Sequence, residues 1–158
     1  MALWFALLCH ATALAYGLMG GVFLAFSDFI MRALGTTPGA GGIAAMQEIN
    51  RAVYRAVFMV VFLGLVPVSA FIAFYAVSVL GGDGWPFVLA GALYVLFCFV
   101  TTAAFNVPMN TALDRIAATD ADDYWRHVYL PRWTAWNTVR TLACAGASAL
   151  TVWGLVNV

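Results

Sequence analysis

Lysine is absent, and seven arginines against seven acidic residues leave only 9% of the 158 residues charged, with no formal net charge. A soluble domain carries about 25% charged residues. A water-facing surface cannot be made from this composition, which excludes a soluble enzyme, a nucleic-acid binder and a disordered chain. The pI near 6.7 leaves no basic footprint for nucleic acid. CxxC spacing is missing too. Cys9, Cys98 and Cys144 fall in apolar runs, where they are expected to fill space as small apolar side chains. Repeats, low-complexity segments and flexible linkers are lacking. What is present is apolar: 65% hydrophobic residues and a mean hydropathy of +0.94. The sequence reads as an integral membrane protein.

Charge divides the chain. Residues 1–27, 56–82, 84–113 and 141–158 carry none. A spanning helix needs about 20 apolar residues, so four spans are expected near 2–26, 55–80, 86–107 and 134–156, with residues 1–158 forming a single membrane domain. The first run has no basic segment before it and is too long for a signal peptide, so it is expected to be a retained span. Gly81-Gly-Asp-Gly-Trp-Pro86 predicts a tight turn, with Trp85 at the interface and Pro86 in the first turn of the next helix. The two other connections are long and polar and hold or adjoin every arginine: Arg32, Arg51 and Arg55, then Arg115, Arg126, Arg132 and Arg140. The excess of arginine there predicts a plasma (inner) membrane protein with these connections in the cytoplasm and both termini outside.

These connections are expected to be ordered. The first helix continues through Ser27-Asp-Phe-Ile-Met-Arg32 to a stop near Gly35. Ile43, Met46, Ile49, Val53 and Val57 then recur at helical spacing and predict a helix running into the second span. Asp120 begins a short helix through Tyr129, and Pro131 opens the fourth span. The expected fold is all-α: a four-transmembrane-helix bundle whose helices extend into a polar cap on one side. Gly17-x-x-x-Gly21 and Ala143-x-x-x-Ala147 are expected to allow close helix approach, within one chain or in a homo-oligomer. Pro67 is expected to kink the second span.

Polar residues gather at the arginine-rich end. Asp28 and Arg32 share a helical face, as do Asn106 and Asn110 with Asp114 a turn on. Trp133, Asn137 and Arg140 share another, with Trp136 one turn before Arg140. Only 18 residues follow Arg140, so it and Asn137 sit at or inside the membrane boundary, where polar groups are costly unless paired. With Gln47, Asn50, Arg51 and Arg55, these residues outline a polar pocket beneath an apolar bundle. Each admits a structural role as well: Asp28–Arg32, or Asp114 with an arginine, can staple helix ends, and asparagines bond across membrane helices.

Two histidines are too few and too distant for a shared metal. His10 lies 18 residues before Asp28, about 27 Å along a helix, whereas His127 belongs to the opposite end. His10 suits packing; His127, near Asp28 and Asp114, suits either solvated surface or proton transfer near neutral pH.

Four stretches carry a family resemblance: Gly21-Val-Phe-Leu-Ala-Phe-Ser-Asp-Phe-Ile-Met31, Ala45-Met-Gln-Glu-Ile-Asn-Arg51, Phe105-Asn-Val-Pro-Met-Asn110 and Arg132-Trp-Thr-Ala-Trp-Asn-Thr-Val-Arg140. In order along nearly the whole chain, they resemble the anthrone oxygenase-like family of small four-span membrane proteins. The resemblance implies oxidation of anthrones to anthraquinones with dioxygen, although many bacterial members have no assigned activity. Anthrones are flat and apolar, reach a bundle through the membrane lipid, and have an acidic methylene activated by a carbonyl. Removing that proton gives an enolate that reacts directly with oxygen, so this chemistry requires no metal, flavin or other cofactor. It requires a base, donors for the developing oxyanion and a flat wall. The candidate base is Asp28, with His127 second. Asn106, Asn110, Asn137 and Arg140 are candidate donors, Asn50 a further binding residue, and Trp133 and Trp136 the wall. Pairing Asp28 with Arg32 would weaken it as a base. A carrier for a lipid-like or quinone-like ligand, a metal or haem oxidoreductase and a purely structural membrane subunit are the competing classes.

Overall fold

The computed structural model describes residues 1–117 and 120–158. Nearly all of them are helical, and no strand occurs among the described residues. Apolar runs in lipid must satisfy their own backbone N–H and C=O groups, and helix does this within each segment.

Helix α1 (Leu3–Thr36) passes through one wider turn at Phe26–Ile30. Helix α2 (Gly41–Ala52) follows at once. A Cβ on Gly42 would lie 2.0 Å from the carbonyl oxygen of Leu34, so only glycine permits this junction. Contrary to the helical spacing, α2 does not run into the second span. Val53–Arg55 tighten into a 3-10 turn, Ala56 is extended at φ −87°, ψ 153°, and α3 (Val57–Tyr75) begins afresh. The break separates a helix that buries one face, through Ile43 and Met46, from one that is apolar all round.

Helix α3 continues through Pro67 without interruption. The chain then reverses at Gly81–Gly84, where Gly81 has φ +61°. Helix α4 (Trp85–Ala92) carries Pro86 in its first turn, and wider turns at Leu93–Val100 and Thr102–Asn106 lead into α5 (Val107–Arg115). Helix α6 (Ala121–Tyr124) and α7 (Leu130–Asn157) were expected as separate pieces but belong to one continuous helix, Ala121–Asn157. Between them the wider turn Trp125–Tyr129 lets the Leu130 N–H reach the Trp125 carbonyl, which accommodates the missing donor at Pro131.

Three helical stretches are long and apolar enough to cross a membrane: Leu3–Thr36, Val57–Arg115 and Ala121–Asn157. The second has 59 residues. Straight, it would reach about 88 Å, far beyond a hydrocarbon core of about 30 Å. It is folded on itself at Gly81–Gly84, and the Tyr94 hydroxyl donates to the Phe62 carbonyl across the two arms at 2.7 Å.

Helix α1 packs along α7 more extensively than any other pair, with Ala143 and Ala147 buried between them. Gly17 and Gly20 both meet α7: a Cβ would stand 3.7 Å from Ser148 Oγ at Gly17 and 3.2 Å from the Cys144 Cβ at Gly20, whereas Gly21 has nothing within 4 Å. Gly17 of the expected Gly17/Gly21 face therefore does lie against α7, and its companion there is Gly20, one residue before Gly21. Phe5, Cys9, Ile72, Ala76 and Phe87 close one end beside the turn. At the other end Met31, Ile43, Met46, Leu113, Trp125, Tyr129 and Trp133 form a second core. Gln47 Nε2 donates there to the Leu113 carbonyl at 2.9 Å, and Arg51 bridges Asp114 and Glu48 at 2.6 Å each. Leu14, Leu18, Val57, Val60, Phe74, Leu142 and Val152 face outward, an apolar exterior that suits lipid.

Candidate functional site

A cavity of about 430 Å³ opens between α1, the α2–α3 break, α5 and α7. This lies within the usual range of small-molecule sites, about 300–1,000 Å³. Its walls are apolar, chiefly Phe23, Phe26, Met46, Phe58, Phe62 and Trp133. Asn50, Thr102, Asn106, Asn110, Asn137 and Arg140 supply the polar groups.

Arg140 is 5% exposed and forms no ion pair with any described residue. Its Nη2 donates to Asn137 Oδ1 at 2.6 Å and its Nη1 to Thr102 Oγ1 at 3.2 Å. The guanidinium carbon lies 4.3 Å from the centre of the Phe23 ring and 5.2 Å from that of Trp133. Asn137 is in turn fixed, its Nδ2 donating to the Phe23 carbonyl and to Ser27 Oγ at 2.6 Å each. A second chain of bonds meets the first at Trp133. Asn110 Oδ1 accepts from the Tyr129 hydroxyl and from Trp133 Nε1 at 2.8 Å each, and Asn50 Nδ2 donates to the Tyr129 hydroxyl at 3.4 Å. Asn106 Nδ2 donates to the Trp133 carbonyl at 3.3 Å. Among the described residues two buried side-chain atoms have no hydrogen-bond partner: Arg140 Nε and Asn106 Oδ1, one donor and one acceptor.

The residues singled out by sequence divide into two groups. Asn50, Asn106, Asn110, Trp133, Asn137 and Arg140 converge on the cavity. Asp28, His127 and Trp136 are not in its lining. Asp28 faces a separate surface depression and pairs with Arg32 at 3.4 Å, both side chains being largely exposed. Its neighbour Ser27 takes the inward position against Asn137, which turns Asp28 outward. His127 is exposed beside Asp123 at 3.7 Å, because Trp125 and Tyr129 hold the buried face of that turn. Trp136 stacks flat on Phe105, with ring centres 3.8 Å apart and planes within 4°. Exposed His10 bonds the Ala6 carbonyl at 2.7 Å. Among the described residues no three His, Cys, Asp or Glu side chains group as metal ligands.

Sequence reasoning missed Tyr129, Thr102 and Ser27. Tyr129 carried a signal, lying one turn before Trp133. Thr102 and Ser27 carried none that distinguishes them from other hydroxyls in apolar helices. Phe23, Phe58 and Phe62 were equally silent in a sequence this rich in phenylalanine.

Residues 51–150, more than half of the chain, match the family described as anthrone oxygenase. The matched stretch includes Asn106, Asn110, Trp133, Asn137 and Arg140 and leaves Asp28 outside it. No curated protein and no solved structure matches the chain.

Proposed function

The chain belongs to the anthrone oxygenase family, and from that premise we propose an integral membrane oxygenase that binds a flat, apolar, enolisable ketone of the anthrone type and oxidises its methylene to a quinone carbonyl. One observation carries the reading. Arg140 is a buried cation without a carboxylate partner among the described residues, set in a largely apolar cavity whose other polar groups are neutral. An isolated buried charge costs several kcal/mol, and a substrate enolate oxygen supplies the missing anion. Asn137 and Thr102 aim the guanidinium, Asn106 Oδ1 accepts from a substrate hydroxyl, and Trp133 with the phenylalanines flanks the rings.

The enolate forms as the methylene proton passes to water at the cavity mouth, and Arg140 lowers the energy of the anion that remains. The carbanion carbon gives an electron to dioxygen, and the resulting pair closes to a peroxide anion. Protonation gives the hydroperoxide. Loss of the second methylene hydrogen with the distal oxygen, as water, leaves the new carbonyl. One dioxygen is consumed, with one atom retained and one released as water. Neither Asp28 nor His127 is assigned the proton, since both lie outside the lining.

The same reading takes the chain to cross the membrane four times, with its arginine-bearing connections in the cytoplasm. A carrier is the second reading, favoured by a lining without carboxylate or imidazole. Protein purified anaerobically in mild detergent, given a simple anthrone and then oxygen, separates the two. The oxygenase consumes oxygen and forms quinone above the spontaneous rate, and Arg140→Gln lowers kcat/KM by about 10²–10³-fold. Ligand binding with oxygen uptake at the spontaneous rate favours the carrier, and unchanged turnover in Arg140→Gln removes Arg140 from the mechanism.

A further inference from the structure

Cys98 and Cys144 lie 46 residues apart in sequence, on the arm that follows α4 and on α7, yet their sulfurs are 3.5 Å apart and both side chains are fully buried. Their position relates them to the cavity. Cys98 stands one helical turn from Thr102 and Cys144 one turn from Arg140, so the pair lies one turn beyond the Arg140–Thr102 hydrogen bond. Phe62 lines the cavity and belongs to the same buried cluster as both cysteines. The Cys98 carbonyl accepts from the Thr102 hydroxyl at 2.8 Å, which ties the backbone beside one sulfur to the guanidinium.

We propose that Cys98 and Cys144 are a site of reversible oxidation, closing to a disulfide in reaction with a peroxide that reaches them from the cavity. A disulfide needs sulfurs about 2.05 Å apart, so the pair must close by about 1.5 Å. In the first step one sulfur takes the distal oxygen of the peroxide and becomes a sulfenic acid, and its thiol proton goes to the departing oxygen. The second sulfur then displaces the sulfenic oxygen as water and forms the S–S bond. Two thiols lose two electrons and two protons, and a hydroperoxide becomes an alcohol and water. Cys9 has no sulfur partner and packs at the far end among Phe5, Ile72, Ala76 and Phe87, which makes it an internal control. The source of the peroxide rests on the oxygenase reading, but the bridge does not.

The test uses the wild-type protein in mild detergent and hydrogen peroxide itself, so it is independent of any turnover. After graded exposure the protein is unfolded, its free thiols are alkylated, and intact and peptide masses are read. Two hydrogens should be lost at peroxide levels that leave Cys9 alkylatable, with one peptide pair joined through Cys98 and Cys144 and released by dithiothreitol. In Cys98→Ser, Cys144 should instead be trapped as a sulfenic acid by dimedone. Three alkylated thiols after treatment that oxidises the unfolded chain, oxygen addition without a bridge, or a bridge through Cys9 would each overturn the proposal.

Discussion

Arg140 is held by two neutral acceptors and two aromatic faces, and none of these neutralises its charge. Replacing an unpaired buried charge by an apolar side chain of similar volume relieves a desolvation cost of several kcal/mol. Against this, Arg140→Met strips Asn137 Oδ1 of its donor, and an unsatisfied buried polar atom costs about 1–3 kcal/mol. The relief is at least as large as this loss, so Arg140→Met should leave unfolding free energy in detergent unchanged or raised while ligand binding is lost. A staple would behave otherwise, and a fall in stability with binding intact would assign Arg140 to the scaffold. Asn137→Ala is expected to differ: it removes donors to Phe23 and Ser27 and the acceptor for Arg140, so it should lose about 1–3 kcal/mol as well as activity. At this scale the sequence was partly legible. Trp133, Asn137 and Arg140 recur at helical spacing, and their common face needs only the period of a helix. Asp28 could not be placed that way, because whether Ser27 or Asp28 faces α7 depends on the wider turn at Phe26–Ile30, which shifts the register locally.

Helix α1 can approach α7 closely only where a side chain is missing. A leucine at Gly20 would press on Cys144 and drive the two helices apart, an overpacking that costs about 1–3 kcal/mol. Leucine at Gly21, which faces open space, should leave unfolding unchanged. Equal effects at the two positions, measured by thermal unfolding in one detergent, would contradict this helix register. Helix α2 offers a pH test of its own. The hydrogen bond from Arg51 holds the Glu48 carboxyl below its ordinary value of 4.5. A depressed folded value stabilises above the unfolded pKa, and that contribution is lost as pH falls through the folded value. Glu48→Gln should therefore lie slightly below wild type in stability at neutral pH and converge with it in acid. The difference is small because the pair is exposed. Helix existence was readable from apolar runs, since lipid leaves the backbone little alternative. The break at Ala56 was not: Ile49, Val53 and Val57 keep helical spacing across it, and nothing local marks an extended residue. Nor was the Cys98–Cys144 contact, which depends on the relative rotation of two helices distant in sequence.

The whole molecule is asymmetric along its helices. One end carries the exposed aromatics Trp4, Trp85 and Trp153 beside the Gly81–Gly84 turn, with Trp4 edge-on to Tyr75 at 5.0 Å. Amphipathic rings of this kind collect at a membrane–water interface. The other end brings the α1–α2 junction, α2 and α5 together, joined by Gln47 to Leu113 and by Arg51 to Asp114. All the arginines sit toward this end, so the arginine bias and the aromatic belt mark opposite faces, and the cavity opens nearer the arginine-rich one. An arginine excess on short connections is retained in the cytoplasm, so the tryptophan-bearing end should face outward. An alkaline phosphatase joined after Val158, active only outside the cytoplasm, should therefore be active, while one inserted after Pro38 in the α1–α2 junction should be silent. A fluorescent protein that matures only in the cytoplasm should give the reverse pair. The opposite pattern would invert the protein in the membrane and leave the cavity opening toward the outer side. Phosphatase activity at both positions would require an even number of crossings between them, where the four-span reading has three, and would overturn that reading.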